Sequence, residues 1–437
     1  MSLIRRPRSN RGEAVGASGR RRVVMKAATA ALTAASIVVL AGCASSGSSS
    51  ATAGSTKLSF FSWDTQAVMQ PLIDEFQKQN PDITIDFSYS PPVATYVSTL
   101  QTRLLAGTAA DTFIITAENK GELVQNQSVK DLTNEPFMAD SAQFNKDAYT
   151  IDGKNYGLSV ASWGGGVMYN QDLLAKVGYT TPPQSWSEFL DLCSKLKAAG
   201  INPFYEPGDG VGVVLSALLG LQNKAENDKM DANIFNGTSS FEKEWTPSVK
   251  TWGELFDQGL EDRAVAGLTG TQTTDEFVKG NVAMIGTGSW NLATVKAGAP
   301  NMNVGFFAVP GTTSGDTYWA GAASPAYAIN AKTPNLPQAE KWLAFLSSKT
   351  GSQLYNSGTS SITTTSTFTP VVDPSLTTMV PPVVGGSIYL PSEWWPSNQD
   401  ALSVYTTSVL QQFIQGAIPA DQVGVLLDQK LKELQSS

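Results

Sequence analysis

The sequence predicts an α/β protein built on a largely parallel sheet. Segments with strand alternation and segments with helical spacing of apolar residues follow one another from residue 57 onward, with Pro, Gly and Asn between them. The chain has 437 residues, 41% of them hydrophobic, which is enough for two or more domains with substantial cores.

Residues 57–62 alternate as a short strand, and Asp64 is placed to cap the helix behind it. In that helix, 66–79, Met69, Leu72, Ile73 and Phe76 share one face, and Asn80-Pro81 stops it. A strand is predicted over 83–89. A helix over 94–106 aligns Tyr96, Leu100 and Leu104 and ends at Gly107, before a third strand over 111–116. Asp152-Gly153 makes a turn and 155–160 reads as a strand. Ser162-Trp163-Gly164-Gly165-Gly166 reads as a glycine-rich loop, and 167–170 lead into a helix.

After Pro182-Pro183, Ser185 and Glu188 have capping-box spacing ahead of the stripe Phe189, Leu192, Cys193 and Leu196. Cys193 on that stripe reads as a small buried hydrophobe. Thr246-Pro247 opens a helix with Val249, Trp252, Phe256 and Leu260, and a short helix closes at 277–281 before a strand at 282–285. Strands are expected at 303–310 and 321–330, a helix at 337–347, and a Ser/Thr-rich connection at 359–369. Amphipathic helices near 399–415 and 419–434 complete the chain, which has no internal repeat.

The amino-terminal 43 residues carry an address. Arg20, Arg21, Arg22 and Lys26 precede an apolar run, 27–40, too short to cross a bilayer, which ends in Leu40-Ala41-Gly42-Cys43. The ending resembles the bacterial lipobox, with Cys43 as the lipidated residue after removal of signal peptide 1–42. Arg21-Arg22-Val23-Val24-Met25-Lys26 resembles a twin-arginine export motif. Residues 43–56 form a Ser/Gly/Ala-rich tether. The removed segment holds 8 of the 30 basic and 1 of the 38 acidic residues, so the rest carries 22 against 37, a net charge of −15. Such a balance disfavours nucleic acid and anionic membranes as partners. With Cys43 lipidated, Cys193 is the one remaining thiol, so no disulfide forms within the chain. The chain has no histidine. That excludes Ser-His-Asp and Cys-His nucleophiles and histidine-ligated zinc or iron.

Ten tryptophans divide into two groups. Trp186, Trp252 and Trp342 sit on helical stripes and read as core, while Trp245 carries no signal either way. Trp63, Trp163, Trp290, Trp319, Trp394 and Trp395 lie at strand ends or in loops beside Gly, Ser, Pro or Asp, where open α/β sheets bind ligands. Aromatic faces with carboxylates and amides nearby (Asp64, Glu118, Asn119, Asn291) suit the C–H faces and edge hydroxyls of a sugar.

The order of motifs resembles that of the extracellular solute-binding proteins of ABC sugar importers, the maltodextrin-binding-like group. Residues 76–86 (FQKQNPDITID), 105–115 (LAGTAADTFII), 152–172 (DGKNYGLSVASWGGGVMYNQD), 182–200 and 277–290 match its successive signatures. Ala110, Val160 and Gln171 stand where Pro, Pro and Lys are usual. The resemblance implies a two-lobe, type II periplasmic-binding-protein-like fold with a ligand cleft between hinged lobes. The lobes would be 57–160 with 311–356, and 161–310 with 357–437, crossing at 156–162, 307–311 and within 356–369. By position, Trp63, Asp64, Glu118, Asn119, Trp163 with Gly165, Trp290, Asn291, and Trp319 with Gly321 would face the cleft. Trp394 and Trp395 join them on the aromatic argument alone.

The implied activity is capture of a mono- or oligosaccharide outside the membrane and delivery to ABC permease subunits. It needs no enzyme chemistry, cofactor or metal, and is expected of a monomer touching the membrane only through its lipid. The residues leave open a polyol or peptide ligand on the same fold, and a secreted glycoside hydrolase using paired carboxylates.

Overall fold

The computed structural model describes residues 55–359 and 361–436. The basic and apolar segment, Cys43 and nearly all of the tether lie outside them. In chain order the strands are β1 (Thr56–Ser62), β2 (Ile83–Tyr89), β3 (Thr112–Ile115), β4 (Thr150–Ile151), β5 (Lys154–Asn155), β6 (Ala161–Asn170) and β7 (Asn202–Tyr205). They continue as β8 (Val282–Gly288), β9 (Val304–Phe307), β10 (Val309–Pro310), β11 (Thr317–Ala323), β12 (Ala326–Ile329), β13 (Ile362–Thr363) and β14 (Ile388–Tyr389).

Two sheets organise two cores. The first has the order β12-β3-β1-β2, with β1 parallel to β2 and β3, and β12 antiparallel on the outer edge of β3. Its core joins Phe60, Phe76 and Tyr96 to Trp342 and Leu346 from much later in the chain. The second is centred on β6, the longest strand, which pairs antiparallel with β8, β9, β11 and β13. Its main core contains Phe189, Cys193, Trp245, Trp252 and Trp395.

Helix Gln66–Gln79 buries Met69, Leu72, Ile73 and Phe76, the predicted face. Thr65, not Asp64, takes its N-cap position; the Asp64 carboxylate instead accepts from the Ser62 hydroxyl at 3.3 Å. Helix Trp186–Ala198 starts as its spacing predicts, with Ser185 Oγ accepting from the Glu188 N–H at 3.3 Å. Glu188 reaches back one residue further than a capping box requires, to the N–H of Gln184 at 2.7 Å. The helix expected to open at Pro247 runs Phe241–Asp257 and encloses that proline. Ser240 caps it, Oγ accepting from the Lys243 N–H at 3.2 Å, and Asp428 of the last helix accepts from the N–H groups of Phe241 (2.7 Å) and Glu242 (3.0 Å), so three of the donors every helix start leaves free are satisfied.

The glycine-rich run 162–166 is no loop. It lies inside β6, where a Cβ on Gly164 would meet Met379 at 2.6 Å and one on Gly166 would meet the Phe307 carbonyl oxygen at 2.5 Å. The expected strand 155–160 reduces to Asn155 and an isolated bridge from Leu158 to Tyr327. The strand expected at 321–330 is two strands in different sheets, β11 and β12.

That split relocates a crossing. β11 returns antiparallel to β10 and pairs with β6, so residues 317–323 belong to the second sheet and the chain changes sheets at 324–325 instead of 307–311. The crossings lie side by side. The Ser324 N–H donates to the Ala161 carbonyl (2.9 Å), the Ser159 hydroxyl to the Ser324 carbonyl (2.7 Å), and the Thr364 N–H to the Val160 carbonyl (3.0 Å).

Candidate functional site

Three strands of the second sheet converge on a pocket of ≈ 270 Å³ lined by Trp163, Glu206, Asp209, Thr273, Trp290 and Asn291, among others. β6 supplies Trp163. β7 ends at Tyr205 and releases the loop 206–212, which feeds helix Val213–Ala225. β8 ends at Gly288 and continues into the turn Ser289–Asn291. A Cβ on Gly288 would lie 1.8 Å from the Trp290 ring, so only glycine lets that indole fold back over the strand end.

Trp163 and Trp290 meet edge to face, with centroids 5.1 Å apart at 83°. Trp290 remains 51% exposed, the largest aromatic side chain among the exposed hydrophobics. Asn291 is oriented by its Nδ2, which donates to Thr287 Oγ1 at 2.7 Å.

Glu206 is buried at the pocket floor, in space kept open by two glycines. A Cβ on Gly212 would fall 2.3 Å from its carboxyl and one on Gly286 2.5 Å from it. Oε1 accepts from the Val214 N–H at 2.9 Å, at the positive end of the helix. Trp252 lies near enough to favour the ionised form slightly, but its indole N–H makes no hydrogen bond, and Oε2 has no hydrogen-bond partner. Burial pushes this carboxyl up to about 7. Buried Glu261 accepts from the Glu206 N–H, and burial first, then the neighbouring Glu206 carboxyl, pushes its own carboxyl well above the usual range. Asp209 stands exposed on the rim, one carboxylate oxygen accepting from the Gly270 N–H at 3.0 Å.

In the first sheet, Trp63 and Asp64 leave the end of β1 half-buried. Trp63 packs edge-on against Tyr96 (5.3 Å, 88°), and burial raises the Asp64 carboxyl to about 6. Glu118 is half-buried after β3. Asn119 is buried; its Oδ1 accepts from the Thr116 N–H at 2.8 Å and its Nδ2 has no partner. Trp394 packs on Phe144 (5.3 Å) and borders both main cores. Beside it, buried Lys120 donates to the carbonyls of Ala148 (2.6 Å) and Glu393 (2.8 Å).

Trp163, Trp290 and Asn291 are therefore brought together in one pocket, while Trp63, Asp64, Glu118 and Asn119 cluster at strand ends of the other sheet. Four other residues expected at the cleft make close packing contacts. Trp395 is 1% exposed among Phe235, Phe241 and Trp245. Trp319 is buried in β11 with its ring over Gly166. Gly165 and Gly321 admit close neighbours, Val213 to the former and the Trp163 carbonyl and Ile388 to the latter. Glu206 and Asp209 were missed, although Glu206-Pro207-Gly208-Asp209-Gly210 after a strand is the turn composition expected where α/β sheets hold ligands.

A model of the bacterial extracellular solute-binding proteins matches residues 71–376. A multiple sugar-binding protein of Streptococcus mutans is 24% identical over 301 residues, 67% of this chain and 70% of its own. A family 1 extracellular solute-binding protein from Bifidobacterium longum superposes with a TM-score of 0.76 at 28% identity, covering 87% of this chain and 100% of that one. The apo form of RafE from Streptococcus pneumoniae shares the fold at 19% identity (TM-score 0.71, 86% and 97% covered). The sheets of this chain thus carry the two-lobe architecture of a known class of binding protein, and the chain belongs to the bacterial extracellular solute-binding proteins.

Proposed function

We propose that this protein captures a mono- or oligosaccharide outside the cell membrane and hands it to the permease of an ABC importer. The edge-to-face pair Trp163–Trp290 carries the reading. A half-exposed indole over a pocket edged by Asn291, Asp209 and Thr273 offers an apolar face for a sugar ring and polar groups for its hydroxyls. The Streptococcus mutans relative, named a multiple sugar-binding protein, supports the ligand class. Trp63, Asp64, Glu118, Asn119 and Trp394 complete the site from across the cleft, and lobe closure about the adjacent crossings excludes water from the ligand. The protein binds and releases without altering its ligand, and works as a monomer.

Calorimetry against a carbohydrate panel tests this. Trp290→Ala is expected to weaken the sugar that binds by roughly 1–3 kcal/mol, the scale of losing an aromatic contact. Its apo melting temperature should change little, because the indole is already half in water. A large drop in apo melting temperature with affinity preserved would assign Trp290 to stability.

The same reading anchors the chain by lipid on Cys43, with the tether letting the lobes reach the permease. One acyl chain holds a protein only marginally, so secure attachment takes more than one. Cys43→Ser is expected to move the protein out of the membrane fraction without altering its melting temperature. A variant that stays wholly membrane-bound would refute the anchor.

A further inference from the structure

The titratable side chains that line the pocket are carboxyls, Glu206 on the floor and Asp209 on the rim; no lysine or arginine is among them. The residues proposed across the cleft add Asp64 and Glu118. Lys120, beside Glu118 in sequence, is buried with its Nζ on two backbone carbonyls. Glu206 is 2% exposed, and its Oε2 has no hydrogen-bond partner. The indoles of Trp163 and Trp290 add electron-rich faces, which attract cations.

We infer that the pocket selects its ligand by charge, taking a glycan that bears a protonated amino group in preference to its neutral counterpart and rejecting one that bears a carboxylate. The inference rests on the carbohydrate reading. Three features act together. Asp209, exposed at the mouth, meets the ligand first and pairs with an ammonium group in partly screened surroundings. The tryptophan faces receive the cation in place of a hydrated C–H face. Glu206 places a carboxyl with one unpaired oxygen beneath them, where an arriving cation favours the ionised form, and no basic side chain is among the lining residues. A uronate would bring a second carboxylate toward these groups and lose hydration without gaining a partner.

The experiment uses the full chain and matched disaccharides of glucose, glucosamine and glucuronic acid in several linkages, measured by calorimetry at low and high salt. For the linkage that binds, the amino form is expected to bind roughly 2- to 5-fold more tightly than the neutral form, the range of an exposed ion pair, and the advantage to shrink as salt rises. The uronate form should bind more weakly than the neutral one. Asp209→Asn should reduce the amino preference, read as the ratio of amino to neutral affinity, whatever it does to the affinity of both forms. Glu206→Gln should reduce it too; if that variant fails to fold, Asp209→Asn carries the test alone. Equal affinity for amino and neutral forms, or a preference untouched by Asp209→Asn, would overturn the inference and leave the carbohydrate reading standing. Tightest binding by the uronate would do the same. Binding of none of the sugars would overturn both.

Discussion

Valine in place of Gly166 is expected to destabilise the protein by about 3 kcal/mol, the upper range for overpacking a well-filled interior. Gly166 is an interior residue of β6 with neighbours on both sides: a Cβ there would lie 2.5 Å from the Phe307 carbonyl oxygen and 2.7 Å from the Trp319 ring. One obstacle is backbone, so the strand itself must move, and it pairs with β8 at this residue and with β9 and β11 beside it. Denaturant midpoints of Gly166→Val and of Gly267→Ala, where nothing lies within 4 Å of the new methyl, provide the comparison. Gly267→Ala should stay within about 0.5 kcal/mol of the parent. Similar midpoints for both variants would mean that β6 is not the packed centre of the second lobe.

That position also shows where sequence reading stops. The first lobe was legible because its helices show one apolar face and its strands alternate, so β1, β2, β3 and helix Gln66–Gln79 fall where periodicity puts them. β6 lost its signal because glycines stand where alternating side chains would reveal a strand, and a buried glycine run has the composition of a loop. The start of helix Phe241–Asp257 was misplaced although Ser240 caps it locally, because Pro247, enclosed in the helix, has the look of a first-turn proline. Within the site, the neighbours Trp394 and Trp395 have the same local context, yet one borders two cores and the other is enclosed by three aromatic rings. Only tertiary packing separates them. Residue type pointed to Trp163, Trp290 and Asn291, which one pocket brings together, although Trp163 sits inside β6 and not in a loop; Glu206 drew no notice because its place depends on the two glycines that make room for it.

Stability is expected to fall as pH rises from about 4.5 to 7, opposite to the usual behaviour of a protein held together by ionised carboxylates. Glu206, Asp231 and Glu393 are each 4% exposed or less, and burial pushes each carboxyl up to about 7; Glu261 is pushed well above its ordinary value. A raised carboxyl keeps its proton in the folded chain and loses it in the unfolded one. Its contribution is therefore complete below the unfolded pKa and is lost as pH climbs through the folded one. For Glu206, Asp231 and Glu393 the shifts correspond to roughly 3–4 kcal/mol each. Asp111, Asp131 and Asp373 are lowered, so their contributions vanish only in stronger acid. The melting temperature should accordingly peak near pH 4–5 and decline toward neutrality. Calorimetric scans from pH 4 to 8 at fixed ionic strength check this, and a steady rise over that range would refute it. Asp231→Asn should flatten the slope, since the amide oxygen still accepts from the Tyr389 hydroxyl, now 2.8 Å from the carboxylate.

The threading of the first sheet sets an order on synthesis. β12 covers the outer edge of β3, and helix Leu336–Ser347 inserts Trp342 into the first core, yet both leave the ribosome after nearly all of the second lobe's sheet. Until they emerge, the amino-terminal half displays a strand with unpaired amides and a core missing its largest aromatic ring, the condition in which chains pair with one another and aggregate. Local contacts cannot resolve this early, because the closing pairs, such as Phe113 with Ala328, lie more than 200 residues apart. Chaperones that hold unfinished chains are thus expected to matter until these elements emerge, and a fragment that stops short of residue 346 is expected to be degraded instead of forming a smaller binding protein.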